Sequence, residues 1–202
     1  MEETNAMQQP IRHFVKICAK HLPIKQPIVE FGALQVSGDA KEDLRTLFPG
    51  FEYTGADMQS GPGVDKVLDL HSIDLPSESV GCVLSLDTLE HVEYPRKAVE
   101  EIHRILDPDG IVVISSVFEF PIHSYPNDYW RFTPEGFKSL LQVFDSHLVF
   151  SFGQSEDRPL CVTGVGFKGA RPNTSEFIED CSNWSRWHSA ILETMAAKNK
   201  KT

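Results

Sequence analysis

The feature that most constrains this chain is a pair of short apolar runs, Val80 to Leu86 and Ile111 to Val117, separated by a segment of helical pattern. Both runs are continuous and rich in β-branched residues, so both read as strands buried on two faces. Between them, Pro95 suits a first helical turn, where its missing N–H is no loss. Ala98, Ile102, Ile105 and Leu106 recur at helical spacing, and Asp107-Pro-Asp-Gly110 predicts the helix stop and a turn. Strand, helix, strand with two buried strands is a βαβ unit, which calls for a parallel sheet covered on both sides.

The rest of the chain can be read around that unit. Ile11, Phe14, Val15, Cys18 and Leu22 predict a helix over residues 10–21, after a polar, frayed start. Pro23 and Pro27 break the chain before Ile28-Val-Glu-Phe-Gly32, a first strand ending in a glycine turn. Such a glycine lets the backbone approach a ligand closely. A short helix over 41–48, a second strand over 51–57 and a third over 64–70 follow. Residues 147–153 and 160–169 read as two more strands. A final helix over 175–198 places Phe177, Cys181, Trp184, Ile191 and Met195 on one face, which either packs back on the domain or makes a homodimer contact.

At 202 residues the chain is expected to form a single domain, residues 1–202. Cys18, Cys82, Cys161 and Cys181 form no C-x-x-C pair and read as reduced core residues. His71, His91, His103 and His123 show no tight ligand spacing, so no metal is expected. No apolar run approaches the ~20 residues of a membrane span. The acidic, polar N-terminus does not fit a secretory signal, so a cytoplasmic location is expected. The net charge of −10 weighs against DNA or RNA as a partner.

Asp87-Thr-Leu-Glu-His-Val92, followed by Ala98-Val-Glu-Glu-Ile-His-Arg-Ile-Leu-Asp-Pro-Asp-Gly110, resembles the fourth strand, following helix and fifth strand of class I S-adenosylmethionine-dependent methyltransferases. The likeness is to the group acting on small molecules and sugars, and it extends with gaps over residues 27–169. It implies an α/β fold: a Rossmann-like, doubly wound, mostly parallel seven-stranded sheet with a C-terminal antiparallel hairpin. The helix over 175–198 is extra to that core. The cofactor it implies is S-adenosylmethionine. It places Glu30 and Gly32 at the acidic and first-glycine positions of the E/D-x-G-x-G-x-G signature, while Ala33-Leu-Gln-Val-Ser-Gly38 replaces the later glycines. It also places Asp69 at the adenine amino group, with Leu70 beside the ring and Asp65 as a competitor.

An acidic residue at the end of the second strand can accept from both ribose hydroxyls, which singles out Asp57; Met58 would lie against the adenine. Gly32 and Asp57 are 25 residues apart, against about 20 in the usual fingerprint, so the connection is extended. Ligands bind beyond the carboxyl ends of strands in open α/β sheets, so Leu86 and Asp87 should stand where methyl donor and acceptor meet. His91 can cover the cofactor or pack against the sheet.

After the fifth strand, residues 118–132 are rich in aromatic residues and proline. Tyr125, Tyr129, Trp130 and Arg131 fit a substrate pocket, and equally fit anchors for a long loop. His123 and Asp87 are the candidate general bases, His123 because an imidazole ordinarily titrates near neutrality. Asp-Tyr-Trp-Arg-Phe-Thr-Pro segments resemble those of glycan-pathway methyltransferases. The expected function is therefore methyl transfer to an oxygen or nitrogen of a small molecule or sugar. The alternatives are an inactive binding or scaffold protein on the same fold, suggested by the altered glycine turn, and a nicotinamide-dependent dehydrogenase, which lacks its full G-x-G-x-x-G here.

Overall fold

A computed structural model describes residues 2–36, 43–123, 126–155 and 157–199. Helix α1 (Glu2–His21) leads into β1 (Ile28–Phe31). A 3₁₀ turn at Leu44–Leu47 precedes β2 (Tyr53–Asp57), and β3 (Lys66–Val67) follows. Then come β4 (Val80–Ser85), a 3₁₀ turn at Leu89–His91, α2 (Pro95–Ile105) and β5 (Leu106–Val117). The chain closes with α3 (Pro134–Leu140), β6 (Ser146–Ser155), β7 (Arg158–Phe167) and α4 (Ser175–Asn199).

The strands form one sheet in the order β3-β2-β1-β4-β5-β7-β6. The first five pair in parallel, and β7 pairs antiparallel to both β5 and β6. The strand order reverses between β1 and β4, and a crevice opens there at the carboxyl ends.

Strand alternation builds two cores. Val29, Phe31, Val83, Val112 and Ile114 join Ile102 of α2 and Phe137 of α3 on one face. Ile28, Cys82, Leu84, Ile111 and Val113 join Phe14 of α1 and Phe177, Cys181 and Trp184 of α4 on the other. Adjacent strand residues fall on opposite faces, as a period of two requires. All four cysteines are buried and unbridged. The α4 face is seated by rings: Trp184 lies 4.1 Å from Phe152, and Phe177 lies 6.2 Å from Phe14. Trp187 points away and is exposed.

Several boundaries differ from the sequence reading. Helix α1 starts at Glu2, not residue 10: the segment ahead of Pro10 is composed largely of good helix formers, and the proline is absorbed inside the helix. The third strand is only two residues long. Asp107–Gly110 does not separate α2 from β5. It sits inside the strand as an irregular insertion, because the pairing to β4 jumps from Val80↔Leu106 to Cys82↔Ile111. Of the helix expected over 41–48, the described part is the Leu44–Leu47 turn. Among the described residues, no helix is long and apolar enough to cross a membrane.

Candidate functional site

A cavity of about 310 Å³ opens at the carboxyl ends of β1, β2 and β4. This is within the size range of small-ligand sites. Gly32, Asp57, Met58, Asp69, Leu70, Asp87, His91 and Tyr129 all line it, as do Phe31, Thr88, His71 and Asn127, which sequence reasoning did not assign to a ligand.

The turn after β1 is shaped by two demands on Gly32. Its φ is +82°, and a Cβ there would stand 2.1 Å from Thr88 Oγ1. Any side chain would therefore both strain the backbone and collide with the turn after β4. Gly38 lies outside the described residues. At the end of β2, Asp57 Oδ1 accepts the Gln59 N–H at 2.9 Å, and Met58 is exposed at the cavity edge. Asp65 and Asp69 are now separable. Asp65 is tied beneath β2 by the Arg45 guanidinium and the Gly55 N–H, whereas Asp69 is on the cavity wall. Asp69 Oδ1 accepts from the backbone and ring nitrogens of His71, both at 2.8 Å, and these bonds hold its carboxyl below the ordinary value.

Asp87 follows directly from the end of β4. Its φ of +46° turns the chain sharply into the Leu89–His91 turn. Ser115 of β5 locks it: the Ser115 hydroxyl donates to Asp87 Oδ1 at 2.7 Å and accepts the Asp87 N–H at 2.9 Å. Burial raises the Asp87 carboxyl to about 6. Glu90, fully buried behind it, is raised to about 8, first by burial and then by the charge of Asp87.

The loop after β5 docks on this turn. The Tyr129 and Trp130 N–H groups both point to the Glu90 carbonyl oxygen, at 2.7 and 3.2 Å. The Trp130 indole donates to the Val92 carbonyl oxygen at 3.0 Å. Arg131 is a brace within the loop, donating to Asp128 and to the Phe120 and Pro121 carbonyl oxygens. Its guanidinium holds the Asp128 carboxyl well below the usual carboxylate range. Neither Trp130 nor Arg131 lines the cavity, and Tyr125 lies outside the described residues.

His123 is likewise not on the cavity wall. Its ring packs edge-on against His91, centroids 4.7 Å apart, and His91 is the imidazole that reaches the cavity. Leu86 packs toward the α1 and α4 core, two residues on from Leu84 on the same face. Glu30 also faces away from the cavity. It accepts the Tyr53 hydroxyl at 2.6 Å, and burial raises its carboxyl to about 7.

Residues 50–114 match a family described as a methyltransferase domain. That match spans less than half of the chain. The fold is similar to those of solved methyltransferases. A methyltransferase described as S-adenosylmethionine-dependent, from Archaeoglobus fulgidus, superposes with a TM-score of 0.62 at 14% identity, covering 80% of this chain and 94% of that one. The methylating domain of a citrinin polyketide synthase gives 0.60 at 18% identity, over 82% of this chain and 53% of that one, so this chain spans about half of its length. A 1,6-didemethyltoxoflavin N1-methyltransferase from Burkholderia thailandensis, solved with S-adenosylhomocysteine, gives 0.59 at 16% identity, over 81% and 78%. A search of curated proteins by sequence finds no match.

The side chains present fit the adenosine end of S-adenosylmethionine: a carboxylate at the end of β2, apolar Met58, Leu68 and Leu70 for a flat ring, and Asp69 at the rim. Asp87 and Thr88 line the same cavity, Thr88 against Gly32.

Proposed function

We propose that the protein transfers the methyl group of S-adenosylmethionine to an oxygen or nitrogen of a small molecule, most simply a sugar or glycan. The observation that carries this reading is one cavity lined both by adenosine-compatible residues, Asp57, Met58, Asp69 and Leu70, and by Asp87, His91, Asn127 and Tyr129.

When bound, the cofactor supplies an activated methyl on a sulfonium. The chain supplies alignment. Asp57 would hold the ribose hydroxyls, Met58 and Leu70 the adenine faces, and Asp69 the adenine amino group. Gly32 would let the backbone run close beneath the methionine portion. Glu30 and Leu86 act indirectly, by packing the strands that carry the turns. Holding acceptor, methyl and sulfur in line can supply ~7–11 kcal/mol of the barrier reduction in favourable cases.

Asp87 is the group we assign to take the acceptor's proton. It lines the cavity, and the Ser115 hydroxyl fixes its orientation. His123, the other candidate, is set behind His91 and would act on the acceptor through it. Tyr129 offers a half-exposed ring steadied by Asn127, whose amide donates to its hydroxyl at 2.9 Å. A ring beside carboxylates suits a polyhydroxylated acceptor; Trp130 and Arg131 hold that wall in place. The test is S-adenosylhomocysteine release across a panel of sugars and small phenols. Turnover should appear on one class and fall at least ~100-fold in Asp87→Asn, the low end for loss of a general base.

A further inference from the structure

Behind the cavity wall, Glu90, His91 and His123 bring a carboxylate oxygen and two ring nitrogens within 4.8 Å of one another. We infer that these three side chains form a binding site for one divalent transition-metal ion at the acceptor end of the cavity.

The first argument concerns Glu90. The side chain is fully buried, and Ser116 donates to its Oε2 at 2.8 Å. Its Oε1 is buried with no hydrogen-bond partner among the described residues. A buried carboxyl oxygen without a donor calls for an explanation, and a cation is one that also compensates charge.

The second concerns the imidazoles. His91 Nδ1 lies 2.6 Å from the Asn127 carbonyl oxygen, and His123 Nδ1 lies 3.1 Å from both the Pro121 carbonyl oxygen and Asp128 Oδ2. A carbonyl oxygen only accepts, so each Nδ1 carries the hydrogen in these contacts. That tautomer puts the lone pair on Nε2. Ring nitrogens held by carbonyl or carboxylate oxygens are the usual outer support of metal-bound histidine.

The third is the local charge. Asp87, Glu90 and Asp128 act electrostatically on this cluster, against one guanidinium, Arg131, itself bound by Asp128. Burial and Asp87 favour the protonated form of Glu90, and a divalent cation binding there would displace that proton. Two imidazoles with one carboxylate favour zinc, iron, cobalt or nickel over magnesium, calcium or manganese.

His91 lines the cavity, so an ion held by the cluster would stand beside the acceptor space. The inference about the ion's role rests on the methyl-transfer reading above, and it narrows the acceptor to a hydroxyl. A metal-held hydroxyl is more acidic and gives its proton up more readily to a neighbouring carboxylate.

The test is a Co2+ titration of the chelator-stripped full chain, read by visible ligand-field absorption, with S-adenosylhomocysteine binding measured on the same sample. The expected result is one Co2+ per chain, displaced by Zn2+. In His123→Ala the affinity should drop at least roughly 100-fold, because loss of supporting partners alone costs ~10–100-fold. His123 sits on a partly exposed loop, so this variant should keep its fold and bind S-adenosylhomocysteine as before. Glu90→Gln, which touches the core, is the second variant and should also lose the signal. Co2+ binding that is equal in wild type and His123→Ala overturns the site, as does no binding to a chain that still binds S-adenosylhomocysteine. A one-to-one Co2+ signal that depends on His123, in a chain that ignores S-adenosylhomocysteine, supports the metal site and overturns the methyl-transfer reading instead.

Discussion

His91 Nδ1 lies 2.6 Å from the carbonyl oxygen of Asn127, and both residues line the same cavity. That one contact joins the turn after β4 to the loop after β5. The wall formed by the turn and the wall formed by the loop are therefore tied to one another.

Arg131 is where this coupling can be probed. Its guanidinium grips Asp128 through both terminal nitrogens and caps two loop carbonyls. Arg131→Ala should cost about 2 kcal/mol of stability, in the range for hydrogen bonds to charged groups. Arg131→Lys should recover little of it, since an ammonium cannot reproduce the two-pronged geometry. Denaturant midpoints of the three proteins check this; full recovery by lysine would show that charge alone holds the loop.

Glu30 gives a pH signature. Its carboxyl has an ordinary value of 4.5 and is raised to about 7 in the fold, mainly by burial. An acid with a raised folded value favours folding in its protonated form. Its contribution is full below about pH 4.5 and is lost as pH rises through about 7. Glu30→Gln keeps an acceptor for the Tyr53 hydroxyl without the charge. The variant should therefore gain on wild type as pH rises from 4.5 to 8, by up to about 3 kcal/mol. Parallel thermal melts across that range test it, and a constant difference would contradict it.

Helix α4 should be integral to the domain. Phe177 is buried at 1% exposure among Phe14, Phe150 and other rings. Phe177→Ala should destabilise the whole protein by ~3–5 kcal/mol in a single transition. If only helical signal were lost while the core melted unchanged, α4 would be an independent appendage.

The β4–α2–β5 unit was readable because its strands are buried on both faces and so appear as unbroken apolar runs. Asp57 and Asp87 were readable because strand ends in such sheets face the crevice, and Asp69 through the family resemblance. Leu86 and Glu30 show what a strand-end rule omits. Each lies two residues from a side chain facing the α1 and α4 core, Leu84 and Ile28, and the period of two turns it away from the cavity. Trp130 and Arg131 could not be placed from sequence, because the same residue types serve as pocket walls or as loop anchors. Their partners are the Val92 carbonyl oxygen and Asp128. The Glu90, His91 and His123 cluster was invisible to spacing, since a long loop rather than a helix or hairpin carries His123 back to His91.

The central claim is that Asp57 anchors a cofactor in this cavity. The direct measurement is calorimetric titration of the full chain with S-adenosylmethionine and S-adenosylhomocysteine, repeated on Asp57→Ala. Micromolar binding by wild type, weakened ~10–100-fold in the folded variant by loss of charged hydrogen bonds, is the result predicted. Absence of binding by folded wild-type protein would contradict the account and favour a scaffold role for a chain whose glycine turn has changed.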